Sequence, residues 1–392
     1  MTQVPVHAPV GDANMIYDGH AYCFPPTRDI GGFDDRAEFH RHLQLFMAQA
    51  RQQPVWRRKD RCPADATGLY DPDRPWRLEG LRDADFRTGK HGLAEWTVDG
   101  EDYVKQALPP WTADFSFSAE NLVAEMDYAG IDRALLHRTP YMGLDDGYIA
   151  ECCRRYPERV QGLAQIPEWW IPDRTDEAIV KLERAIGVHG LSGLQFAPFH
   201  RPLYDLSPEW TGPDFDPFWT TVAELDIPVF FTLGAVGSSS AYIEELHSLR
   251  AWMDRFPDVD VIVTHGFPWR MFAERDRINV PDEVYEAAPA GHPRFHIQIL
   301  FAVFLQSRWD YPMPQMRPVL EKMVERFGAD RILWGTDIPI VLLHWTYRQS
   351  LDYVRRYCPF LDEDEMAAIL GGNMERIMGW VNRPGRQEAG KP

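Results

Sequence analysis

Two short apolar runs that each stop at an ionisable residue constrain this chain most. They are Val261-Ile262-Val263-Thr264-His265-Gly266 and Arg331-Ile332-Leu333-Trp334-Gly335-Thr336-Asp337-Ile338-Pro339. Runs of this kind read as strands buried on both faces, and a polar residue where the strand stops is how a parallel α/β barrel presents chemistry at its C-terminal mouth. His265 and Asp337 are therefore the first candidates for a site.

A third run, Met15 to His20, ends the same way and is expected to be the first barrel strand. From Phe24 to about Ser118 the periodicity fails, with only Asp35 to Arg51 carrying a helical period. This stretch is expected to be an insertion that caps the mouth, and Trp56, Trp76, Trp96 and Trp111 within it are equally suited to lining a lid or an oligomer contact. From Ser118, a good helix N-cap, helices and strands alternate regularly. Expected helices are 118–128, 145–156, 175–188, 214–225, 241–256, 315–327 and 344–357. Expected strands are 132–137, 160–165, 193–197, 228–232, the His265 run, 294–301 and the Asp337 run. With the first strand this makes eight, so the expected fold class is α/β, a (β/α)8 TIM barrel with a long insertion after the first strand. Residues 1–392 are expected to form one barrel domain with the insertion at about 24–118. An open doubly wound sheet is the rival, but no Gly-rich phosphate fingerprint follows the first strand. Terminal helices at 362–370 and 373–380 and a polar tail from Val381 complete the expectation.

The balance of 41 Lys+Arg against 59 Asp+Glu gives a formal charge of -18. That charge repels nucleic acid and acidic membrane surfaces. Five cysteines with no Cys-x-x-Cys spacing disfavour a disulfide framework or a cysteine zinc site. Residues 1–14 carry no signal-peptide pattern and no apolar run reaches eighteen residues, so a cytoplasmic protein is expected.

Residues at the ends of different barrel strands converge on one site, so His20, His265 and Asp337 are expected to be neighbours. Two imidazoles and a carboxylate suit Zn²⁺, with Mn²⁺ or Fe²⁺ as alternatives. Arg138, just past the second strand, is placed to hold a substrate carboxylate. No Gly-x-Ser-x-Gly elbow supports acyl transfer through serine.

Five segments in this order, Asp18-Gly19-His20, Met126-Asp127-Tyr128-Ala129-Gly130-Ile131-Asp132, Thr264-His265-Gly266, Gly335-Thr336-Asp337-Ile338-Pro339 and Gly371-Gly372-Asn373-Met374-Glu375-Arg376, resemble the amidohydrolase superfamily. The resemblance is to the amidohydrolase-related branch that contains aminocarboxymuconate-semialdehyde and γ-resorcylate decarboxylases. It implies one divalent metal per chain, held by two residues of the first strand, a fifth-strand His and an eighth-strand Asp, with a sixth-strand His assisting catalysis. Asp337 matches the eighth-strand Asp, His265 the sixth-strand His and His20 a first-strand ligand.

Two positions depart from that pattern. Asp18-Gly19-His20-Ala21-Tyr22 admits two registers, one in which Tyr22 replaces a second His and one in which Asp18 and His20 are both ligands. On the fifth strand Thr232 stands where the family has His, and His200, in the loop after the fourth strand, is a candidate replacement ligand. Tyr22, Thr232 and Arg138 are then the candidate substrate contacts. The resemblance implies a hydrolase or nonoxidative decarboxylase of a small carboxylated substrate. Because of the altered ligands it also leaves open a subunit of a two-chain amidohydrolase-fold hydroxylase of the 2-aminoisobutyrate type, or a metal-poor noncatalytic partner barrel. Either a homo-oligomer or a hetero-oligomer with a related chain is expected.

Overall fold

A computed structural model describes residues 15–379 apart from 29–30, 50–52, 208, 235–237, 301–304 and 306–307. The N-terminal segment 1–14, the polar tail and the end of the expected seventh strand at Phe301 lie outside the described residues.

Eight parallel strands follow one another around a ring: β1 (Tyr17–Ala21), β2 (Arg133–Leu136), β3 (Val160–Gly162 continuing as Ala164–Gln165), β4 (Leu194–Phe196), β5 (Val229–Phe231), β6 (Val261–Val263), β7 (Phe295–Ile299) and β8 (Ile332–Trp334). β3 joins two arcs, because its first half pairs with β2 and its second half with β4. The ring closes where Ala21 bridges Ile338 in parallel and the Asp337 amide donates to His20 O at 2.8 Å. Aligned registers such as Val229↔Val261↔Phe295 place equivalent residues of neighbouring strands at one level. The fold is therefore the expected TIM barrel.

Alternation along the strands sorts the side chains into lumen and outer face. Leu135, Leu163, Phe230, Ile262 and Leu333 form an apolar layer across the lumen with Tyr17 and Met374. Above it, toward the strand ends, the buried lumen residues become polar: His20, His137, Gln195, Thr232, Gln298 and Asp337. The outward residues, such as Phe196, Phe231 and Val263, pack with the surrounding helices in the main core.

Helix boundaries follow local chemistry. Ser118 caps the helix Ala119–Ala129 by accepting from Asn121 N, and Gly130 ends it in the left-handed conformation at φ 75°. Thr346 and Gln349 form a reciprocal capping box on the helix Tyr347–Tyr357.

The insertion holds the expected helix, Arg36–Gln49, and also a five-stranded antiparallel sheet that the sequence reading missed. Its longest hairpin pairs Leu93–Val98 with Glu101–Gln106 around Asp99-Gly100, at φ 51° and 78°. Phe46 of the insertion helix stacks on Tyr141, in the loop after β2, at 3.7 Å. His42 and Glu38 meet Tyr204, in the loop after β4, whose hydroxyl accepts from His42 Nε2 at 2.7 Å and donates to Glu38 at 2.6 Å. Of the insertion tryptophans, Trp96 is buried, while Trp76 and Trp111 are exposed. Among the described residues no helix is long and apolar enough to cross a membrane.

Candidate metal centre

β1 delivers His20 through an irregularity. The register with β2 shifts between Asp18 and Ala21, so Asp18 and His20, two residues apart, leave the strand on opposite sides. Gly19 permits this: a Cβ there would sit 3.0 Å from Trp334 O and 3.1 Å from Met374 Sδ. Asp18 points away from the lumen, where its carboxylate accepts four hydrogen bonds, from His20 N (2.9 Å), Thr336 N (3.1 Å), Thr336 Oγ1 (2.5 Å) and Tyr347 OH (2.6 Å). Burial nonetheless pushes Asp18 up to about 6, against the pull of those bonds. The carboxylate ties β1 to β8, and the structure does not bring it to the other candidate ligands.

His20 lies fully buried in the lumen, with its ring stacked on His137 at 3.6 Å. Gln298 of β7 donates through Nε2 to Gly19 O at 2.7 Å, which leaves its Oε1 as an acceptor 2.9 Å from His20 Nδ1. His20 Nδ1 must therefore carry the hydrogen, and Nε2 presents a lone pair. Burial and the neighbouring His137 and His265 hold His20 well below the ordinary histidine range, so the ring is neutral. His137 donates from Nε2 to Gly19 O at 2.8 Å and serves as a buttress.

His265 and Asp337 both end their strands in the left-handed conformation, at φ 65° each. Non-glycine residues rarely adopt this region, and such strain gathers at functional positions. Gly266 follows because a Cβ there would lie 2.4 Å from Trp269 and 2.7 Å from Gln298 O. His20 Nε2 stands 3.5 Å from Asp337 Oδ1, and the His20 and His265 rings are 4.8 Å apart. Ligand atoms of His20, His265 and Asp337 all lie within 4.8 Å of one another. Burial lowers His265 to about 4 and raises Asp337 to about 7; a hydrogen bond from Tyr22 opposes the latter shift and the charge of Asp18 adds to it.

Tyr22, on the same side of the chain as His20, places its hydroxyl 2.9 Å from His20 Nε2. Asp337 Oδ1 stands 3.5 Å from that same nitrogen. The imidazole lone pair and the Asp337 carboxylate thus face one another at 3.5 Å, two acceptors that a cation between them satisfies. The donor set, two neutral imidazole nitrogens and a carboxylate, suits a first-row divalent ion.

Three further candidates are not among these ligand atoms. Thr232 ends β5, its hydroxyl 2.8 Å from Thr264 Oγ1 and 3.4 Å from Gln195 Nε2. His200 is not among the three residues whose ligand atoms converge, and its Nδ1 lies 2.8 Å from the buried carboxylate of Glu168. Arg138 leaves β2 on the face opposite His137, since alternation turns adjacent residues apart. There its Nη2 donates to Gly143 O at 2.5 Å, beside Asp145 and Asp146, so it does not face the lumen site. Gln298 and Tyr347 were missed from sequence; the one available signal was a polar residue inside an apolar strand, as in Phe295-His296-Ile297-Gln298-Ile299.

The amidohydrolase family profile matches residues 35–380. The chain belongs to the amidohydrolase family. A γ-resorcylate decarboxylase of Rhizobium radiobacter is 25% identical over 228 residues, covering 49% of this chain and 63% of that protein. An L-fucono-1,5-lactonase of Burkholderia ambifaria is 26% identical over 135 residues, covering 33% of this chain and 44% of that protein. The matched stretches therefore span less than two thirds of either curated relative. Among solved structures, a probable 2-pyrone-4,6-dicarboxylic acid hydrolase from Acinetobacter baumannii with citric acid bound aligns at a TM-score of 0.51 and 16% identity, over 69% of this chain and 91% of that one. An uncharacterized TIM-barrel protein from Bordetella bronchiseptica aligns at 0.51 and 21% identity, over 68% and 84%. At these identities the structures establish the fold. The chain is an amidohydrolase-fold protein related to decarboxylases and hydrolases.

Proposed function

We propose that this chain is a metal-dependent enzyme that hydrolyses or nonoxidatively decarboxylates a small carboxylated substrate, with one divalent ion held by His20, His265 and Asp337. The observation that carries the reading is the convergence of these three side chains, within 4.8 Å, at the ends of β1, β6 and β8. When bound, the ion supplies Lewis-acid polarisation of a substrate oxygen or of water. Gln298 fixes the His20 tautomer, His265 orients the reacting group, and Asp337 passes a proton at its carboxylate. Thr232 and Tyr22 border this space and are the candidate substrate contacts. The insertion helix, stacked through Phe46 on Tyr141, roofs the mouth. The named relatives are a decarboxylase and hydrolases, which favours this reading over a hydroxylase subunit or a noncatalytic barrel.

The test is elemental analysis of the purified protein and of Asp337→Asn, joined to assays of carbon dioxide release from hydroxybenzoates and of lactone hydrolysis. One first-row metal per chain in the wild type, its loss in Asp337→Asn, and turnover abolished by a chelator and restored by metal are expected. Unchanged metal content in Asp337→Asn, or metal-independent turnover, refutes the proposal.

A further inference from the structure

Tyr22 has a placement that substrate contact alone does not explain. Its oxygen lies 2.9 Å from the lone pair of His20 Nε2, and that nitrogen stands 3.5 Å from Asp337 Oδ1. For metal–ligand bonds of about 2.0–2.2 Å, adjacent ligand atoms in an octahedral or tetrahedral shell stand about 2.9–3.5 Å from one another. The separations from His20 Nε2 to the Tyr22 oxygen and to Asp337 Oδ1 therefore both match those of neighbouring ligands. The phenol ring is buried at 3% exposure, with His20 edge-on at 5.3 Å, so the oxygen is held there by packing.

We infer that Tyr22 is itself a metal ligand, coordinating through its phenolate oxygen beside His20, His265 and Asp337. This rests on the metal centre proposed above and adds a fourth, anionic donor to it. On binding, the Tyr22 O–H bond breaks, a metal–oxygen bond forms and the proton leaves to solvent; no electrons are transferred. The resulting set carries two negative charges and two neutral nitrogens. Hard anionic oxygen favours hard cations, and tyrosinate is an established ligand of iron. The centre is thus suited to iron in its ferric as well as its ferrous form, which a set of neutral imidazoles would hold less readily.

The test is spectroscopic and needs no turnover. Full-length protein is loaded with one equivalent of Fe²⁺ without oxygen and oxidised with ferricyanide, and its visible absorption and resonance Raman spectra are recorded. A phenolate-to-iron charge-transfer band that enhances tyrosine ring modes is expected, together with loss of that band in Tyr22→Phe while iron remains bound. Iron bound in the wild type and lost in Asp337→Asn, but with no charge-transfer band or with a band that persists in Tyr22→Phe, overturns the inference and leaves the metal centre standing. Absence of bound iron, zinc and manganese in the wild type overturns both. The wild-type Raman spectrum decides even if Tyr22→Phe fails to fold.

Discussion

At the scale of single residues, the site depends on groups that touch no metal or substrate. Gln298 is the clearest, because its amide is oriented by Gly19 O and in turn fixes which nitrogen of His20 is protonated. Gln298→Leu removes both bonds and frees the imidazole to change tautomer. Metal affinity should fall roughly 10–100-fold, as for other partners of metal-bound histidines, and a competitive titration with a chromophoric chelator measures it. The ends of β6 and β8 were legible in sequence because His265 and Asp337 interrupt apolar runs, and His20 was legible for the same reason. The rest was not, for a geometric cause. Asp18, His20 and Tyr22 look equivalent under a strict period of two, and only the shifted register around Gly19 sends the first outward and keeps the other two inward. Arg138 shows a related limit, since a position just past a strand end does not say which face the side chain takes.

At the scale of elements, the alternation of helices and strands was readable because each unit carries its own start and stop. Ser118 and Gly130 bracket one helix with a cap at each end. The antiparallel sheet of the insertion was harder, since most of its strands are two or three residues long and interrupted by Pro and Arg. Its hairpin had a signal, Asp99-Gly100 between alternating apolar residues, and both turn residues adopt the positive φ that a type I′ turn needs. The Gly371-Gly372-Asn373 segment is likewise structural. Asn373 Nδ2 donates to Ala329 O and Ile332 O at 2.8 and 2.9 Å, pinning the start of β8. A Cβ on Gly371 would lie 2.1 Å from Met15 O, whereas one on Gly372 would stand 3.4 Å from Ala367 O. Gly371→Ala should therefore destabilise the protein by about 1–3 kcal/mol or more, as backbone must move to admit the methyl. Gly372→Ala should be close to wild type. Paired urea denaturation curves check this, and equal midpoints for the two variants would show that the close approach of Met15 does not matter.

At the scale of the whole molecule, buried ionisable groups away from the metal centre set how stability responds to pH. His42, in the insertion helix, and His296, inside the barrel, are both buried and both lowered to about 3. For His42 the causes are burial, then the charges of His200 and Arg41; for His296 they are burial, then Arg376 and Arg331. Each is neutral in the folded chain and takes up a proton near 6.5 in the unfolded one. Stability from these two is complete above about 6.5 and is lost as pH falls toward 3, with a limiting slope on the order of 1.4 kcal/mol per pH unit for each. Glu245 acts in the other direction, because burial raises it to about 8. Between its unfolded value of 4.5 and 8 the folded chain holds a proton that the unfolded chain has released, so stability from this group falls as pH rises through that window. Two histidines outweigh one glutamate below 6.5; above it the glutamate lowers stability up to about 8, joined up to about 7 by Asp337. Metal-depleted protein should thus be most stable near pH 6.5. In Glu245→Gln the decline between 6.5 and 8 should flatten while the acid limb stays, and in His42→Gln the acid limb should become shallower. Urea midpoints measured across pH 4–8 read both limbs. An alkaline decline as steep in Glu245→Gln as in the wild type would mean that the buried carboxyl does not govern it.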